Sequence, residues 1–288
     1  MEILSARSKP ILVAGGDADL NIHSLLQELE HQRTPHVRLL AGSETHPVLT
    51  WDLADDVLTI DGEIVAPRAV FLRHDVFSTP SAARAYAWYT TVLSWAMAHR
   101  DVRLLNRHHA AHLLKPQQLL LARQSGLDIP ATVISNDASA LEAMRDRVVK
   151  PVAGGEYTQP LDTALAGAPR RNNALASPAI VQETLVPPEL RIYRAGDRFV
   201  SFHVVASTLD YRTDSRARVE PVKNDRHLVA GLRKLTDTLS LEFAAADFKQ
   251  CPKTKRMLFL EVNSGPMFAA FDAASDRAVS RALVRALR

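Results

Sequence analysis

The stretch "RMLFLEVNSGP", residues 256–266, joins a strand-like apolar run to two polar side chains that a core strand normally lacks. Glu261 and Asn263 are two positions apart, so on a β-strand their side chains point to the same face of the sheet. Burying an unpaired carboxylate is costly. The sequence therefore predicts that this face meets a partner of opposite charge.

A second apolar run with an acid inside it comes just before this stretch. Asp247 lies within "FAAADFK", residues 243–249, and the short polar segment "QCPKTK" connects the two runs. A turn centred on Thr254 places Asp247 directly opposite Glu261. Directly opposed Cβ atoms are about 5 Å apart, and like charges there are destabilising unless they are neutralised.

This pairing predicts a metal site made of Asp247, Glu261 and Asn263. Mg²⁺ prefers oxygen ligands and is commonly held by one or two carboxylates together with phosphate groups. The prediction depends on the strand register, because a slip of one residue would move one acid to the opposite face. The alternative interpretation is an edge hairpin whose acids are solvated.

The composition is that of an ordinary globular protein. The chain has 288 residues, of which 47% are hydrophobic and 23% charged, and its net charge is +3. The arginines are scattered, which argues against a nucleic-acid partner. We find no apolar run long enough to cross a membrane and no signal peptide, and the single cysteine, Cys251, favours a reducing, cytoplasmic location.

The hydrophobic patterns divide the chain into three parts. Alternating strand and helix patterns over residues 1–105 predict an α/β domain. Residues 106–186 predict a central lobe that begins with a helix running through "HHAAHLLKPQQLLLARQSG" and contains a polar, loop-rich segment after Pro151. Residues 187–288 predict a lobe with a hairpin, helices and the metal site.

Cationic side chains precede the metal-site strands in the sequence. Lys150 ends the strand "RVVKP" beside a pair of glycines, where a lysine can reach phosphate oxygens. Lys115 lies on the predicted helix at the mouth of the same region. Arg191 alternates with apolar residues and faces the same side as Glu189, so it suits a carboxylate or phosphate.

The order of these segments resembles that of the ATP-grasp fold. A lysine on a helix, "VVKP", a glycine loop, "VQE", "ELRIY", "ADF" and "FLEVNSGP" follow one another over residues 106–270. The pattern is most similar to ribosomal-protein glutamate ligases and to maturases of microviridin-type peptides (graspetides). In addition, "LDYRTD", residues 209–214, resembles the Asp-Trp-Arg segment of those maturases, and the first domain resembles the N-terminal (pre-ATP-grasp-like) domain of the family.

The resemblance implies a role for each matching residue. Lys115 and Lys150 would contact the phosphates of ATP, and Arg191 would steady the γ-phosphate or an acyl phosphate. Arg212 would face the acceptor. The residues implied in the adenine and ribose pocket are Gln182, Glu183, Thr184, Leu185 and Glu189, and those implied for Mg²⁺ are Asp247, Glu261 and Asn263.

The implied enzyme is an ATP-grasp ligase that converts ATP to ADP and phosphate. It would join a carboxylate to an amine, or to a hydroxyl, through an acyl phosphate, on a peptide, a protein tail or an amino acid. The implied cofactors are ATP and two Mg²⁺ ions, with Mn²⁺ as an alternative. The resemblance is consistent with a homo-oligomer, and the sequence leaves the oligomeric state open.

Two departures from the family pattern concern loops around the site. The glycine loop "AGGEYTQ" is poorer in glycine than many loops of the family, and "NSGPMFAAFD" lacks the usual continuation after the asparagine. These departures leave the closure over the phosphates and the substrate pocket open.

Two other functions are consistent with parts of the sequence. His108 and His112 are spaced i, i+4 on the predicted helix, which can chelate zinc in a hydrolase, although no glutamate lies between them and no third ligand is evident. A non-catalytic nucleotide-binding scaffold would keep the fold without turnover. Loss of the acids or of Lys150 would favour the scaffold, and all of them are present.

Overall fold

The computed structural model describes residues 9–44, 46–77, 81–109, 113–153, 158–205 and 218–288. Within these ranges, no helix combines the length and the apolar character that crossing a membrane requires.

The N-terminal region alternates strands and helices, as the sequence patterns predict. Its elements are β1 (Ile11–Gly16), α1 (Leu20–His31), β2 (His36–Ala41), β3 (Leu49–Asp52), β4 (Val57–Ile60), β5 (Glu63–Ile64), β6 (Ala69–Leu72), α2 (Ala82–Ala98) and β7 (Arg103–Leu104). The parallel sheet has the order β2-β1-β6-β7. Asp61 and Gly62, both with positive φ, form the two-residue turn between β4 and β5, as is typical of an Asp-Gly pair in a β-hairpin.

The middle of the chain forms a smaller antiparallel sheet with short helices. Its elements are α3 (Lys115–Gln124), β8 (Thr132–Asp137), α4 (Ala138–Glu142), β9 (Arg147–Pro151), β10 (Gln159–Pro160), α5 (Leu161–Ala166), β11 (Arg170–Arg171) and β12 (Ala174–Glu183). Strands β8 and β9 both pair with β12. The described part of the segment predicted to be loop-rich therefore contains more regular structure than expected.

The prediction of a helix through His108 is wrong at its beginning. Residues 105–108 form a turn, and α3 begins only at Lys115, with Pro116 in its first turn. Proline fits there because the first helical N–H groups have no partner inside the helix. The end of the helix agrees with the prediction, since Gly126 follows it with a φ of +88°.

The C-terminal region is built on one antiparallel sheet. Its elements are β13 (Val186–Ala195), β14 (Arg198–Val205), β15 (Arg218–Val222), α6 (Arg226–Thr238), β16 (Phe243–Gln250), β17 (Met257–Asn263), α7 (Ala269–Ala273) and α8 (Ala278–Ala286). The strand order is β15-β14-β13-β16-β17. Val279, Leu283 and Leu287 are fully buried, as their i, i+4, i+8 spacing predicts.

The apolar cores show which parts of the molecule are joined. One core contains Ile22 and Phe71 of the N-terminal domain together with Phe243 and Leu283 of the C-terminal region. A separate small core lies within the central sheet and contains Leu141, Val149, Leu161, Leu165 and Val181. Helix α3 packs with α6, β16 and β17 in a further core. The N-terminal domain and the C-terminal sheet therefore form a common base, beside which the central sheet packs with its own interior.

Candidate active site

The β16–β17 hairpin places Asp247 directly opposite Glu261, which confirms the predicted pair. Near the turn, however, the register is one residue away from that of a turn centred on Thr254, because Lys249 pairs with Leu258. A β-bulge at Leu260 adds one residue to β17 and restores the predicted pairing. Such bulges re-aim side chains next to functional sites. Here Leu260 and Glu261, although adjacent in sequence, both line the same cleft.

The two acids are neutralised by cations on neighbouring elements. Arg191 lies opposite Asp247 on β13, and its Nε is 3.4 Å from Asp247 Oδ1. Lys115 at the start of α3 has its Nζ 3.3 Å from Glu261 Oε2. Burial by itself would raise the pKa of Glu261, but the charge of Lys115 and hydrogen bonds from Lys115 and Asn263 bring it below its ordinary value. Glu261 is therefore a carboxylate at neutral pH.

The oxygen atoms of this group suit a hard divalent cation. Asn263 lies on the cleft face beside Glu261, with its Nδ2 3.5 Å from Glu261 Oε1, so two carboxylates and one amide converge. Among the described residues, no three His, Cys, Asp or Glu side chains form a cluster that could hold a metal by themselves. Mg²⁺ fits such a partial set, because it usually keeps waters and takes phosphate oxygens as its other ligands.

Lys150 reaches the same cleft from the central sheet. It lies on β9, opposite Ile180 of β12. Burial lowers its pKa, an effect partly offset by Glu261, whereas Lys115 and Lys249 lower the pKa further. A desolvated ammonium group interacts strongly with any anion that enters, because the local dielectric constant is low.

The segment predicted to hold a heterocycle lies at another part of the cleft. Gln182, Glu183 and Leu185 line it together with Leu260 of the bulge, so two apolar side chains lie here beside two polar ones. Gln182 is buried, and its Nε2 donates to Thr132 Oγ1 at 3.0 Å. Thr184 is not among the lining residues. Its hydroxyl instead donates to the carbonyl of Asp146 at 2.9 Å and so anchors the segment.

Arg191 is fixed by aromatic rings as well as by its charge partner. Its guanidinium carbon lies 5.6 Å from the centre of the Tyr193 ring and 5.3 Å from that of Phe271. Stacking of this kind favours arginine and limits its motion. Phe271 also lines the cleft. The sequence gives no signal for it, because α7 is too short to show a helical pattern.

The cleft as a whole has a volume of about 860 Å³, large enough for a nucleotide and part of a second substrate. The predicted site residues that it brings together are Lys115, Lys150, Gln182, Glu183, Leu185, Glu189, Arg191, Asp247, Glu261 and Asn263. Their individual roles stay predictions. Arg212, Tyr211 and the glycines of the loop after Ala153 lie outside the described residues.

The segment after Asn263, which departs from the family pattern, is held by side chains from the base of the molecule. Arg73 Nη1 donates to the carbonyl of Pro266 at 2.9 Å, and the Tyr193 hydroxyl donates to that of Met267 at 2.5 Å. Asn21 Oδ1 accepts from the backbone N–H of Phe268 at 2.5 Å. Residues 264–267 line the cleft, so hydrogen bonds from Arg73, Asn21 and Tyr193 hold one of its walls.

Asn106, for which the sequence gives no signal, connects the same wall to β16. Its Oδ1 accepts from the N–H groups of Glu242 and Phe243, and its Nδ2 donates to the carbonyls of Phe243 and Ser264. The residue has a φ of +61°, a conformation that asparagine tolerates better than most residues.

The zinc interpretation loses its structural basis. His108 lies in a turn rather than on a helix, so the i, i+4 spacing on one helical face does not apply. His112 lies outside the described residues.

Comparison with known proteins identifies the fold. No protein-family model and no curated protein matches the sequence. Among solved structures, the ATP-grasp ligase PsnB in complex with a minimal precursor, Mg and ADP matches with a TM-score of 0.73 at 23% identity, covering 100% of this chain and 99% of PsnB. The macrocyclase MdnC from Microcystis aeruginosa MRC, bound with precursor peptide MdnA, matches with a TM-score of 0.69 at 21% identity, covering 97% and 99% of the two chains. The VanG D-Ala:D-Ser ligase from Enterococcus faecalis matches with a TM-score of 0.56 at 13% identity, covering 98% of each chain. The chain thus has the ATP-grasp fold.

Proposed function

We propose that this protein is an ATP-dependent ligase that activates a carboxylate as an acyl phosphate and joins it to an amine or a hydroxyl of a peptide. One observation carries the proposal. A pair of directly opposed acids, Asp247 and Glu261, lies in one cleft with the cations of Lys115, Lys150 and Arg191 and with the apolar side chains of Leu185 and Leu260. That combination fits a nucleoside triphosphate with its metal ions.

The nucleotide would lie along the cleft with its base against Leu185 and Leu260 and its phosphates near Asp247 and Glu261. Lys115 and Lys150 would hold the phosphate oxygens from opposite sides. Asp247, Glu261 and Asn263 would hold Mg²⁺, which neutralises phosphate charge when bound.

The reaction needs positioning and charge neutralisation more than a protein nucleophile. A carboxylate oxygen of the substrate attacks the γ-phosphorus, the bond to the β–γ bridging oxygen breaks, and ADP leaves with the electron pair. The amine or hydroxyl then attacks the carbonyl carbon of the acyl phosphate, loses its proton and expels phosphate. Arg191, held by its stacking on Tyr193 and Phe271, is placed to stabilise the transferred phosphoryl group.

A peptide is the substrate class that we favour. PsnB and MdnC were solved with precursor peptides, and both match this chain over nearly its whole length. Residues 264–267 form one wall of the cleft, against which the acceptor would lie. We further propose two Mg²⁺ ions and a cytoplasmic location.

The test is ADP release from Mg·ATP with pooled acidic peptides and, separately, with pooled free amino acids. Product masses should show the loss of one water between the joined groups. Glu261→Gln is expected to abolish peptide-stimulated release, whereas the matched control Glu63→Gln, an exposed residue of β5, should leave it unchanged.

The outcomes separate the alternatives. Stimulation by peptides alone supports the proposal, and stimulation by amino acids alone replaces the peptide with a small substrate. Binding of ATP without turnover on either pool favours the non-catalytic scaffold and contradicts the proposal.

A further inference from the structure

An ion pair inside the cleft joins Glu189, which the family resemblance implies in the ribose pocket, to Lys249, which has no assigned role in the reaction. Lys249 of β16 and Glu189 of β13 are directly opposite each other, and Lys249 Nζ lies 3.4 Å from Glu189 Oε2. Their side chains are only 9% and 15% exposed, and both line the cleft. Burying a lysine is costly unless it is paired or used. The pair is therefore a built feature of the cleft rather than a surface contact.

The position of the pair along the cleft is fixed by the strand. Lys249 is two residues from Asp247 on the same face of β16, which corresponds to about 7 Å. It lies in the direction of the turn, where Leu185 and Leu258 pack together with Leu260 beside them. The pair therefore lies between the acids that suit metal and phosphate and the apolar end that suits a base.

The chemistry of the pair excludes a phosphate as its primary ligand. The carboxylate of Glu189 can only accept hydrogen bonds, so it repels a phosphate oxygen, whereas a hydroxyl can donate to it. The ammonium of Lys249 can only donate, so a hydroxyl oxygen can accept from it. A donor and an acceptor 3.4 Å apart match two adjacent hydroxyl groups, each of which both donates and accepts.

We propose that Lys249 is a specificity-determining residue which, together with Glu189, recognises the vicinal hydroxyl groups of the nucleotide's ribose. This inference rests on the proposed function, since it assumes that the cleft binds ATP. It adds to the role that the family resemblance implies for Glu189 alone, because Lys249 supplies the donor that a carboxylate cannot. The protein is thereby selective for ribonucleotides over deoxyribonucleotides.

The test is calorimetric binding of Mg·ADP, Mg·2′-deoxy-ADP and Mg·3′-deoxy-ADP, which needs no acceptor substrate. Hydrogen bonds to charged groups contribute about 1.5–3 kcal/mol, so the wild type should prefer ADP over a deoxy analogue by roughly 10-fold or more. Lys249→Met should reduce this preference to under about threefold for at least one analogue. Lys249→Arg, which keeps the cation, should retain the preference, and the exposed Lys234→Met is the matched control.

Each result decides one of the two claims. The role of the pair is overturned if the wild type binds all three nucleotides equally. It is also overturned if Lys249→Met keeps the wild-type preference for ADP over the deoxy analogues, or if its affinities for all three nucleotides fall by the same factor. A wild type that binds no adenine nucleotide overturns the proposed function instead. Retained preference in Lys249→Arg with lost preference in Lys249→Met supports the inference even if the methionine variant is less stable.

Discussion

Asn106 offers the sharpest test of how the molecule holds its cleft wall. Its side chain makes four hydrogen bonds to backbone groups, two accepted from Glu242 and Phe243 at 2.7 and 2.8 Å and two donated to Phe243 and Ser264 at 2.7 and 3.1 Å. Replacing it with glycine removes all four bonds but keeps the backbone conformation accessible. Replacing it with alanine removes the bonds and also forces a Cβ-bearing residue to keep a φ of +61°.

The magnitude follows from these contacts. A hydrogen bond contributes about 0.5–1.5 kcal/mol net, so four of them give roughly 2–6 kcal/mol. Because Asn106 is half-buried and water can replace some of the bonds, we expect Asn106→Gly to lower the free energy of unfolding by about 3 kcal/mol. Asn106→Ala should cost about 1 kcal/mol more, the cost of the left-handed conformation.

Urea titrations followed by tryptophan fluorescence would measure these differences. The control is Asn172→Ala, because Asn172 is exposed and also has a positive φ. This variant should lower the free energy of unfolding only by the cost of the left-handed conformation, about 1 kcal/mol. The reasoning is refuted if Asn106→Gly stays within about 0.5 kcal/mol of the wild type, because the four bonds would then contribute nothing net.

Three further predictions concern the cleft itself. Glu261→Gln should remove the rise in melting temperature that Mg·ADP gives the wild type, measured by differential scanning fluorimetry, and an undiminished rise would exclude Glu261 as a metal ligand. Burial lowers the pKa of Lys150 in the folded protein. Between that lowered pKa and the ordinary value near 10.4, the unfolded chain binds more protons than the folded one, so the free energy of unfolding of the wild type rises with pH. Lys150→Met should lose this rise in titrations from about pH 7 to pH 10 and lower ADP release by about 10²–10³-fold; equal slopes in both proteins would contradict the pKa argument. The backbone N–H of Val262 donates to Gln118 Oε1 at 2.8 Å, and Gln118→Met removes this acceptor. The variant should lower the free energy of unfolding, measured by chemical denaturation, by about 1–3 kcal/mol. An unchanged free energy of unfolding would indicate that water replaces the side chain.

The sequence predicts the hairpin that carries the acids but not how the hairpin reaches its register. Alternating apolar residues and a short polar turn were sufficient to pair Asp247 with Glu261. The bulge at Leu260 was not predictable, because Leu260 is as compatible with a regular strand as with a bulged one. The prediction was correct for this pair because the bulge compensates for a turn that is centred differently.

The contacts that support the cleft were harder to predict than the residues that line it. Lys249 was within reach of the same argument that identified Asp247, since it lies two positions further along the same strand face. Asn106 was not, because its partners are backbone groups about 136 to 158 positions away in the chain and such bonds leave no pattern in the sequence. The start of α3 at Lys115 differs from the prediction because Pro116 favours the first turn of a helix, whereas the apolar pattern continues on its N-terminal side.

The separate core of the central sheet connects nucleotide affinity to events far from the cleft. Lys150 can hold a phosphate only while β9 is ordered, and β9 depends on a small interior around Leu161 and Val181 that the base of the molecule does not share. Under the proposed function, the apparent dissociation constant for ATP would equal the intrinsic constant divided by the fraction of molecules in which this sheet is folded. Substitutions in that interior would then change the apparent affinity for ATP while every residue that lines the cleft stays the same.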